Sequence, residues 1–198
     1  LGHSMGSFVT RKYICDYGYE LDGVIIMGTG HQPTPMVLAG KALADITRFI
    51  KGDRYRSRLI SKIMFGAYNK RIKNVRTSND WLTRDETVVD EYKAGKLTTF
   101  LFTVNGYRGL MNMILYVRKP RNIAKIPKNL PMLMVSGLDD PVGEYGKGVY
   151  RAYNTYHGHI DDIDLRLFED CRHELCNELN KEEIYEEIYG WIMDHMNK

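Results

Sequence analysis

Long hydrophobic runs are missing from the sequence: nowhere do about 18 apolar residues follow one another, the length that a membrane span requires. No membrane-spanning helix is therefore expected. Cysteine is scarce, with three residues and no Cys-x-x-Cys spacing, which argues against a disulfide framework and a structural zinc site. So few thiols fit a reducing compartment, and we predict a cytoplasmic protein. Internal repeats and low-complexity linkers are also absent, which excludes a repeat architecture.

What is present is ordinary for a globular chain: 43% hydrophobic and 27% charged residues, in a length sufficient for one domain with a buried core. The net charge of +3 hides an uneven distribution. Residues 36–128 hold 20 Lys and Arg against 7 Asp and Glu, whereas the rest of the chain holds 8 against 18. Such a division is typical either of a surface that faces an anionic partner or of solvated helix faces, and the sequence leaves both interpretations open.

Three segments have the pattern of strands. A continuous apolar run at 24–27 suits a parallel strand that is buried on both faces. A second run covers residues 131–135, and residues 163–168 alternate apolar and polar side chains, as an outer strand with one wet face does. Because helical patterns lie between these strands, we predict an α/β fold, a parallel sheet with helices on both faces.

Residues 35–128 carry four helical patterns and no strand pattern, so this segment is predicted to be a helical cap insertion. It divides the chain into residues 1–34 and 129–198, which are predicted to form the α/β core. Residues 83–86, Thr-Arg-Asp-Glu, have the pattern of a capping box, which predicts a helix from there to about Lys93. The chain ends in an amphipathic helix, and the side chains predicted to share its apolar face are Ile184, Tyr185, Ile188, Tyr189, Ile192 and Met196.

Residues 2–6, Gly-His-Ser-Met-Gly, match the Gly-x-Ser-x-Gly pattern of a nucleophile elbow. In this sharp turn between a strand and a helix, the serine hydroxyl projects into a cleft and the next backbone N–H can bind an oxyanion. Ser4 is therefore a candidate nucleophile, and the Met5 N–H is a candidate oxyanion donor. A strand should precede the elbow, but only Leu1 stands before it and the chain does not begin with Met. We therefore expect the chain to be the C-terminal part of a larger protein.

Candidate acid and base residues follow the next two predicted strands. Asp139 and Asp140 come after the strand at 131–135, and His173 comes after the strand at 163–168. Ligands of parallel sheets lie beyond the carboxyl ends of the strands, so these side chains are expected near Ser4. A serine hydroxyl becomes a strong nucleophile when a histidine accepts its proton and a carboxylate orients the imidazole. The order of serine, acid and histidine is that of the α/β-hydrolases.

The sequence resembles the monoacylglycerol lipase, lysophospholipase and serine aminopeptidase-like group of α/β-hydrolases over essentially its whole length. The matching motifs are the elbow at 2–6, Gly-Leu-Asp-Asp-Pro-Val-Gly at 137–143 and Arg-His-Glu at 172–174. In the insertion, Trp-Leu-Thr-Arg-Asp at 81–85 resembles a cap segment of bacterial members. We therefore expect the C-terminal part of an α/β-hydrolase sheet with a helical cap.

The resemblance implies a role for each candidate. Ser4 would be the nucleophile, His173 the general base and Asp140 the orienting acid. Asp139 is the competing acid, and Asp140 is favoured because its register matches the family motif. The resemblance also implies a second oxyanion donor, from a His-Gly-type loop after an early strand, and neither that loop nor the first five strands are in this chain. Because loss of one donor lowers rates about 10²- to 10³-fold, the 198-residue chain is predicted to be unstable or nearly inactive by itself.

The resemblance further implies that the cap covers the nucleophile and shapes an apolar acyl pocket. Side chains that could line this pocket, or simply pack within the cap, are Met64, Phe65, Phe100, Phe102, Met111 and Met113. The basic surplus of the cap predicts peripheral contact with anionic membrane surfaces. No nucleic-acid partner is expected, because no recognised nucleic-acid-binding module accompanies the charge.

Other reactive side chains are given structural interpretations. His157 and His159 precede the carboxylates at 161–162, but a polar loop explains this group better than zinc, so no metal or other cofactor is expected. His31 is expected near the mouth of the cleft. Cys171 lies two residues before His173 and is interpreted as a small filler rather than a nucleophile.

Together with the resemblance, these residues predict a serine hydrolase that cleaves carboxylic esters through an acyl-enzyme on Ser4. Monoacylglycerol or lysophospholipid is the expected substrate. A serine peptidase or aminopeptidase is the main alternative, since the same three groups attack either acyl bond. An inactive, truncated hydrolase fragment is the other alternative.

Overall fold

The computed structural model describes residues 1–196, and a four-stranded parallel sheet lies at its centre. The strands are β1 (Gly2–His3), β2 (Val24–Met27), β3 (Met132–Gly137) and β4 (Ile163–Phe168), and they lie side by side in that order. The last three are the strands expected from the sequence. The first is a two-residue strand within the elbow motif, which pairs with Ile26 and Met27.

Within residues 1–196, eight α-helices connect and cover these strands. They are α1 (Met5–Tyr17), α2 (Thr34–Lys51), α3 (Arg58–Phe65), α4 (Glu86–Ala94), α5 (Val104–Tyr116), α6 (Pro120–Ile123), α7 (Lys147–His157) and α8 (Lys181–Met196). Single 3₁₀ turns cover Gly18–Glu20 and Leu175–Asn177. Helices α2–α6 all lie between β2 and β3, and the fully described stretch 28–131 contains no strand.

The core has one apolar layer on each face of the sheet. On one face, Ile26 and Met134 pack with Ile14 of α1 and Tyr156 of α7. On the other face, the neighbouring residues of β2 and β3 pack against α8; they include Ile25, Met27, Leu133 and Val135. This alternation explains why both strands are continuous apolar runs, because each side chain meets a helix whichever way it points. Strand β4 is an edge strand, and its side chains are partly buried except for that of Arg166, which is exposed.

Two details of the predicted helices are wrong. Helix α4 begins at Glu86, and its N-cap is Asp85, whose carboxylate accepts a hydrogen bond from the Thr87 N–H, so residues 83–86 do not form a capping box. The hydroxyl of Thr83 instead donates to the carbonyl of Asn177, a contact between distant segments that a local pattern cannot reveal.

The buried face of α8 also differs from the prediction. Ile184 and Ile188 are buried as expected, but the third buried side chain is Trp191, whereas Tyr189 and Met196 are exposed. The indole of Trp191 packs into the core layer and its Nε1–H donates to Asp164 at 3.1 Å. The buried face of α8 therefore includes Trp191 and leaves Tyr185 and Tyr189 on the exposed side of the helix.

No helix among residues 1–196 is long and apolar enough to cross a membrane. All three cysteines are free thiols, with Cys15 and Cys171 buried and Cys176 partly buried. The predicted cytoplasmic location stays a prediction.

Candidate active site

Ser4 occupies the sharp turn between β1 and α1. Its backbone has φ 55° and ψ −122°, a conformation that is strained for a residue with a side chain and typical of functional turns. The turn is tight enough that a Cβ at Gly2 would lie 2.2 Å from the Thr10 hydroxyl oxygen and 2.5 Å from the carbonyl oxygen of Gly6. The glycine at the start of the elbow motif is therefore required for α1 to pack against β1.

Three side chains from distant parts of the sequence meet at this turn. The imidazole of His173 lies with Nε2 2.8 Å from Ser4 Oγ and Nδ1 2.9 Å from Asp140 Oδ2. Since a carboxylate can only accept, Nδ1 carries the proton and Nε2 is free to accept from the serine hydroxyl. Both Asp140 and His173 are buried. This arrangement can take a proton from Ser4 and hold the resulting imidazolium beside a negative charge.

The structure distinguishes the two candidate acids. Asp140 contacts His173 with one carboxylate oxygen and accepts from the Val142 N–H at 2.8 Å with the other. Asp139 is exposed, and it is fixed through its backbone N–H, which donates to the carbonyl of Cys171. Asp140 is thus the carboxylate that can orient the imidazole.

Met5 is the first residue of α1, so its backbone N–H has no acceptor within the helix. The positive end of the helix dipole adds to the attraction of this N–H for an oxyanion. The Met5 side chain is exposed, and only the backbone is used in this interpretation.

Two further rings contact the imidazole of His173. The ring centroid of His3 lies 4.8 Å away, and that of Trp81 lies 5.1 Å away. Burial, together with the nearby His173, lowers the pKa of His3, which favours the neutral form of its imidazole. Gly28 makes room for this group: it has φ +58°, and a Cβ there would approach the rings of His173 and His3 to within 3.2 Å.

Sequence reasoning missed these neighbours. His3 occupies a variable position of the elbow motif, but its place directly before Ser4 could have indicated that it lies close to the site. Trp81 belongs to a motif that the sequence singled out, but nothing in the motif indicates contact with His173. Tyr68 packs edge-on against Trp81, with centroids 4.9 Å apart, and burial raises its pKa.

The six expected pocket side chains lie in different surroundings. Met111 is buried in the packing between α5 and its neighbours, and Met64 and Met113 pack against the same cluster. Phe102 packs in a second cluster, formed by residues of α2, α3 and α5, whereas Phe100 is exposed. Phe65 alone is linked by rings to the site, since it packs against Tyr68 at 5.6 Å.

The remaining candidates lie outside the site. His159 donates to the carbonyl of Ile126, His157 packs on Tyr153, and among residues 1–196 no group of three His, Cys, Asp or Glu side chains could hold a metal ion. Cys171 is buried beside Asn180, and burial raises the pKa of its thiol, which disfavours a thiolate nucleophile.

His31 lies on the loop after β2, among arginines. Burial, together with the charges of Arg118, Arg11 and Arg151, lowers its pKa to about 4. The backbone carbonyl of His31 accepts from Arg151 and that of Gln32 accepts from Arg118, so the arginines fix this loop.

The fold is shared with solved structures of esterases and lipases. A carboxyl esterase from Bacillus coagulans matches with a TM-score of 0.86 and 24% identity, over 99% of this chain and 63% of that one. The monoglyceride lipase of Saccharomyces cerevisiae matches with a TM-score of 0.73 and 18% identity, over 98% and 64%. The monoacylglycerol lipase of Paleococcus ferrophilus matches with a TM-score of 0.68 and 18% identity, over 98% and 67%. These likenesses confirm the α/β-hydrolase fold, and this chain spans a little under two thirds of the first two proteins.

No curated protein matches the chain by sequence. The family described as serine aminopeptidase, S33, matches residues 1–180, which include Ser4, Asp140 and His173. This match covers most of the chain. The chain therefore belongs to the serine aminopeptidase, S33 family of α/β-hydrolases.

Proposed function

We propose that the protein is a serine hydrolase that cleaves carboxylic esters, with Ser4 as nucleophile, His173 as general base and Asp140 as orienting acid. The observation that carries the proposal is the pair of hydrogen bonds of His173, 2.8 Å to Ser4 Oγ and 2.9 Å to Asp140. Ser4 sits on a strained turn at the end of a strand, with a free helix N-terminus beside it. This combination of groups supports acyl transfer.

The reaction would proceed in two balanced steps. Ser4 Oγ bonds to the ester carbonyl carbon as its proton passes to His173 Nε2, and the Met5 N–H stabilises the oxyanion. Collapse breaks the bond to the alcohol, which takes the proton from His173, and leaves an acyl-enzyme. Water then gives a proton to His173 and attacks the acyl carbon, and Ser4 regains its proton as the acid leaves.

The proposed substrate is a monoacylglycerol or a lysophospholipid. Two similar structures are monoglyceride and monoacylglycerol lipases, and a third is a carboxyl esterase. We also propose that residues 35–128 form a cap on the α/β core, because Trp81 of this segment contacts His173. An apolar acyl chain would then lie between the cap and the elbow.

Turnover of monoacylglycerols by the full-length protein tests this function. We expect ester hydrolysis that falls at least about 10⁴-fold in Ser4→Ala, since removal of the nucleophile disables the whole group. Hydrolysis unaffected by Ser4→Ala would overturn the proposal.

Aminoacyl naphthylamides test the alternative, an aminopeptidase, which the description of the family favours. Faster turnover of the amides than of the esters would establish that alternative.

We further propose that the insertion contacts anionic membranes. Apolar side chains on α2 and α3 are exposed to solvent: Ile46, Phe49, Ile50, Leu59 and Ile63, with Phe49 93% exposed. Cationic residues lie close to them in the sequence: Lys51, Arg54, Arg56, Arg58 and Lys62. Exposed apolar side chains combined with basic charge are typical of surfaces that bind at the membrane interface.

Vesicle sedimentation tests the membrane contact. We expect binding to phosphatidylcholine vesicles that contain phosphatidylserine, weakening with added salt and lost in Phe49→Ser. Tyr189→Ser is the matched control, because Tyr189 is an exposed aromatic residue on α8, outside the insertion. Binding that ignores lipid charge and salt, or that survives Phe49→Ser, would contradict the proposal.

A further inference from the structure

His173 lies on a segment that regular secondary structure does not hold. Strand β4 ends at Phe168 and α8 begins at Lys181, with a single 3₁₀ turn between them. Asp170 has φ +54°, which marks a sharp change of direction just before the histidine. The hydrogen bonds to Asp140 at 2.9 Å and to Ser4 at 2.8 Å fix the two ring nitrogens, and they leave tilting of the ring about the line between these atoms to be restricted by other contacts.

Hydrogen bonds tie both sequence neighbours of His173 to residues 80–83 of the insertion. The guanidinium of Arg172 donates to the carbonyl of Asp80 at 2.7 Å and to that of Thr83 at 2.9 Å. On the other side, the N–H of Glu174 donates to the carbonyl of Leu82 at 2.6 Å. The insertion therefore holds the backbone directly before and after the imidazole.

A buried carboxylate joins the same two segments. Glu178 is almost fully buried, and it accepts from the backbone N–H of Arg172 at 2.8 Å and from Nε of Arg84 at 2.9 Å. The Arg84 guanidinium also donates to Asn180 at 2.7 Å. Arg84 is partly exposed, but loss of its guanidinium would leave the buried carboxylate of Glu178 unpaired, which is costly, so the pair links residues 80–84 to the histidine segment.

Trp81 is the side chain that this network brings against the imidazole, with ring centroids 5.1 Å apart. Its own backbone N–H donates to the side chain of Asn69 at 2.9 Å, and its indole packs edge-on against Tyr68. The indole is thus held in place by contacts with residues of the insertion.

We propose that Trp81 is a positioning residue for His173, and that the Arg84–Glu178 ion pair maintains the contact between the indole of Trp81 and the imidazole. The inference rests on the proposed function, in which His173 serves first Ser4 and then the departing alcohol. Both transfers require the imidazole within hydrogen-bond reach, and a misplacement of about 1 Å costs on the order of 10²-fold in rate. Trp81 would restrict tilting of the ring in both steps.

Substitution of Trp81 in the full-length protein tests the role. We expect Trp81→Leu to lower kcat at least about tenfold while KM changes less than about threefold, because an interaction used in the chemical step is removed. Trp81→Phe, which keeps a ring beside the imidazole, should recover most of kcat. Glu178→Gln should lower kcat as well, and less than additively when combined with Trp81→Leu, because both changes act through the same imidazole.

Trp191→Phe is the matched control, since Trp191 also stacks on a histidine, His195, with centroids 4.2 Å apart. It should lower the melting temperature and leave kcat unchanged. Equal kcat in Trp81→Leu and the wild type, or a loss of kcat in Trp191→Phe as large as in Trp81→Leu, would overturn the inference. If Ser4→Ala retains activity, the proposed function fails instead, which separates the two outcomes.

Discussion

At the scale of single residues, the groups around His173 come from separate parts of the chain and meet only through folding. Ser4 follows β1, Asp140 follows β3 and Trp81 lies between α3 and α4. The sequence predicted the first two because residues after parallel strands converge at one edge of the sheet. It could not predict the contact of Trp81 with His173, because no periodicity relates the irregular segment between α3 and α4 to the loop after β4.

The two neighbouring carboxylates should differ sharply in importance. Asp140→Asn is expected to lower kcat about 10⁴-fold, since an amide no longer holds the imidazole in the required tautomer. Asp139→Asn is the matched control and should stay within about threefold, because its backbone, and not its side chain, is fixed by Cys171. Steady-state kinetics of the two variants check this, and comparable losses would contradict the assignment.

The thiols should be unreactive in the folded protein. Burial raises the pKa of Cys15 to about 11 and also raises the pKa values of Cys171 and Cys176, so little thiolate exists near pH 7.5. Mass spectrometry after iodoacetamide treatment should find these residues unmodified until denaturant is added. Rapid alkylation of Cys171 with loss of activity would instead support a role for its thiol as a nucleophile.

At the scale of elements, the strands were easier to predict than the helix faces and caps. The runs in β2 and β3 are apolar throughout because helices pack on both faces, and this leaves a clear signal. Helix α8 carries tyrosines and isoleucines around much of its circumference, so the sequence pattern alone does not identify its buried face. The burial of Trp191, which donates a hydrogen bond to Asp164, determines which side of the helix faces the core. The start of α4 was ambiguous because Thr83 and Asp85 are both common capping residues.

Stability measurements can test the cap of α4. Asp85→Ala should destabilise the protein by about 1 kcal/mol, because the Thr87 N–H loses its acceptor. Glu86→Ala should cost less than about 0.5 kcal/mol, because Glu86 only forms an exposed ion pair with Arg76. Urea unfolding of both variants gives the comparison. A larger loss in Glu86→Ala would favour the capping box that the structure lacks.

At the scale of the whole molecule, charge and burial predict how stability depends on pH. The pKa of His31 falls from 6.5 to about 4 on folding. As the pH falls, the imidazole is therefore protonated in the unfolded chain at a higher pH than in the folded protein. The stabilisation from neutral His31 is therefore complete above pH 6.5 and is lost as the pH falls toward 4. The uneven charge along the chain, by contrast, informs on partners and not on fold.

Thermal unfolding of the wild type and His31→Asn between pH 7 and 4 tests this dependence. The melting temperature of the wild type should fall more steeply than that of the variant across this window, since asparagine does not titrate. The carboxylates titrate equally in both proteins, so their contribution cancels in the difference between the two curves. Parallel curves for the two proteins would show that His31 does not carry this linkage.

The convergence of Ser4, Asp140 and His173 into one proton-transferring group is the central claim, and covalent labelling tests it most directly. A fluorophosphonate probe should modify the full-length protein at Ser4, as identified by mass spectrometry. The labelling rate should fall at least about 10³-fold in His173→Ala, because the serine hydroxyl loses its base. Absence of label at Ser4, or labelling that does not depend on His173, would contradict the account.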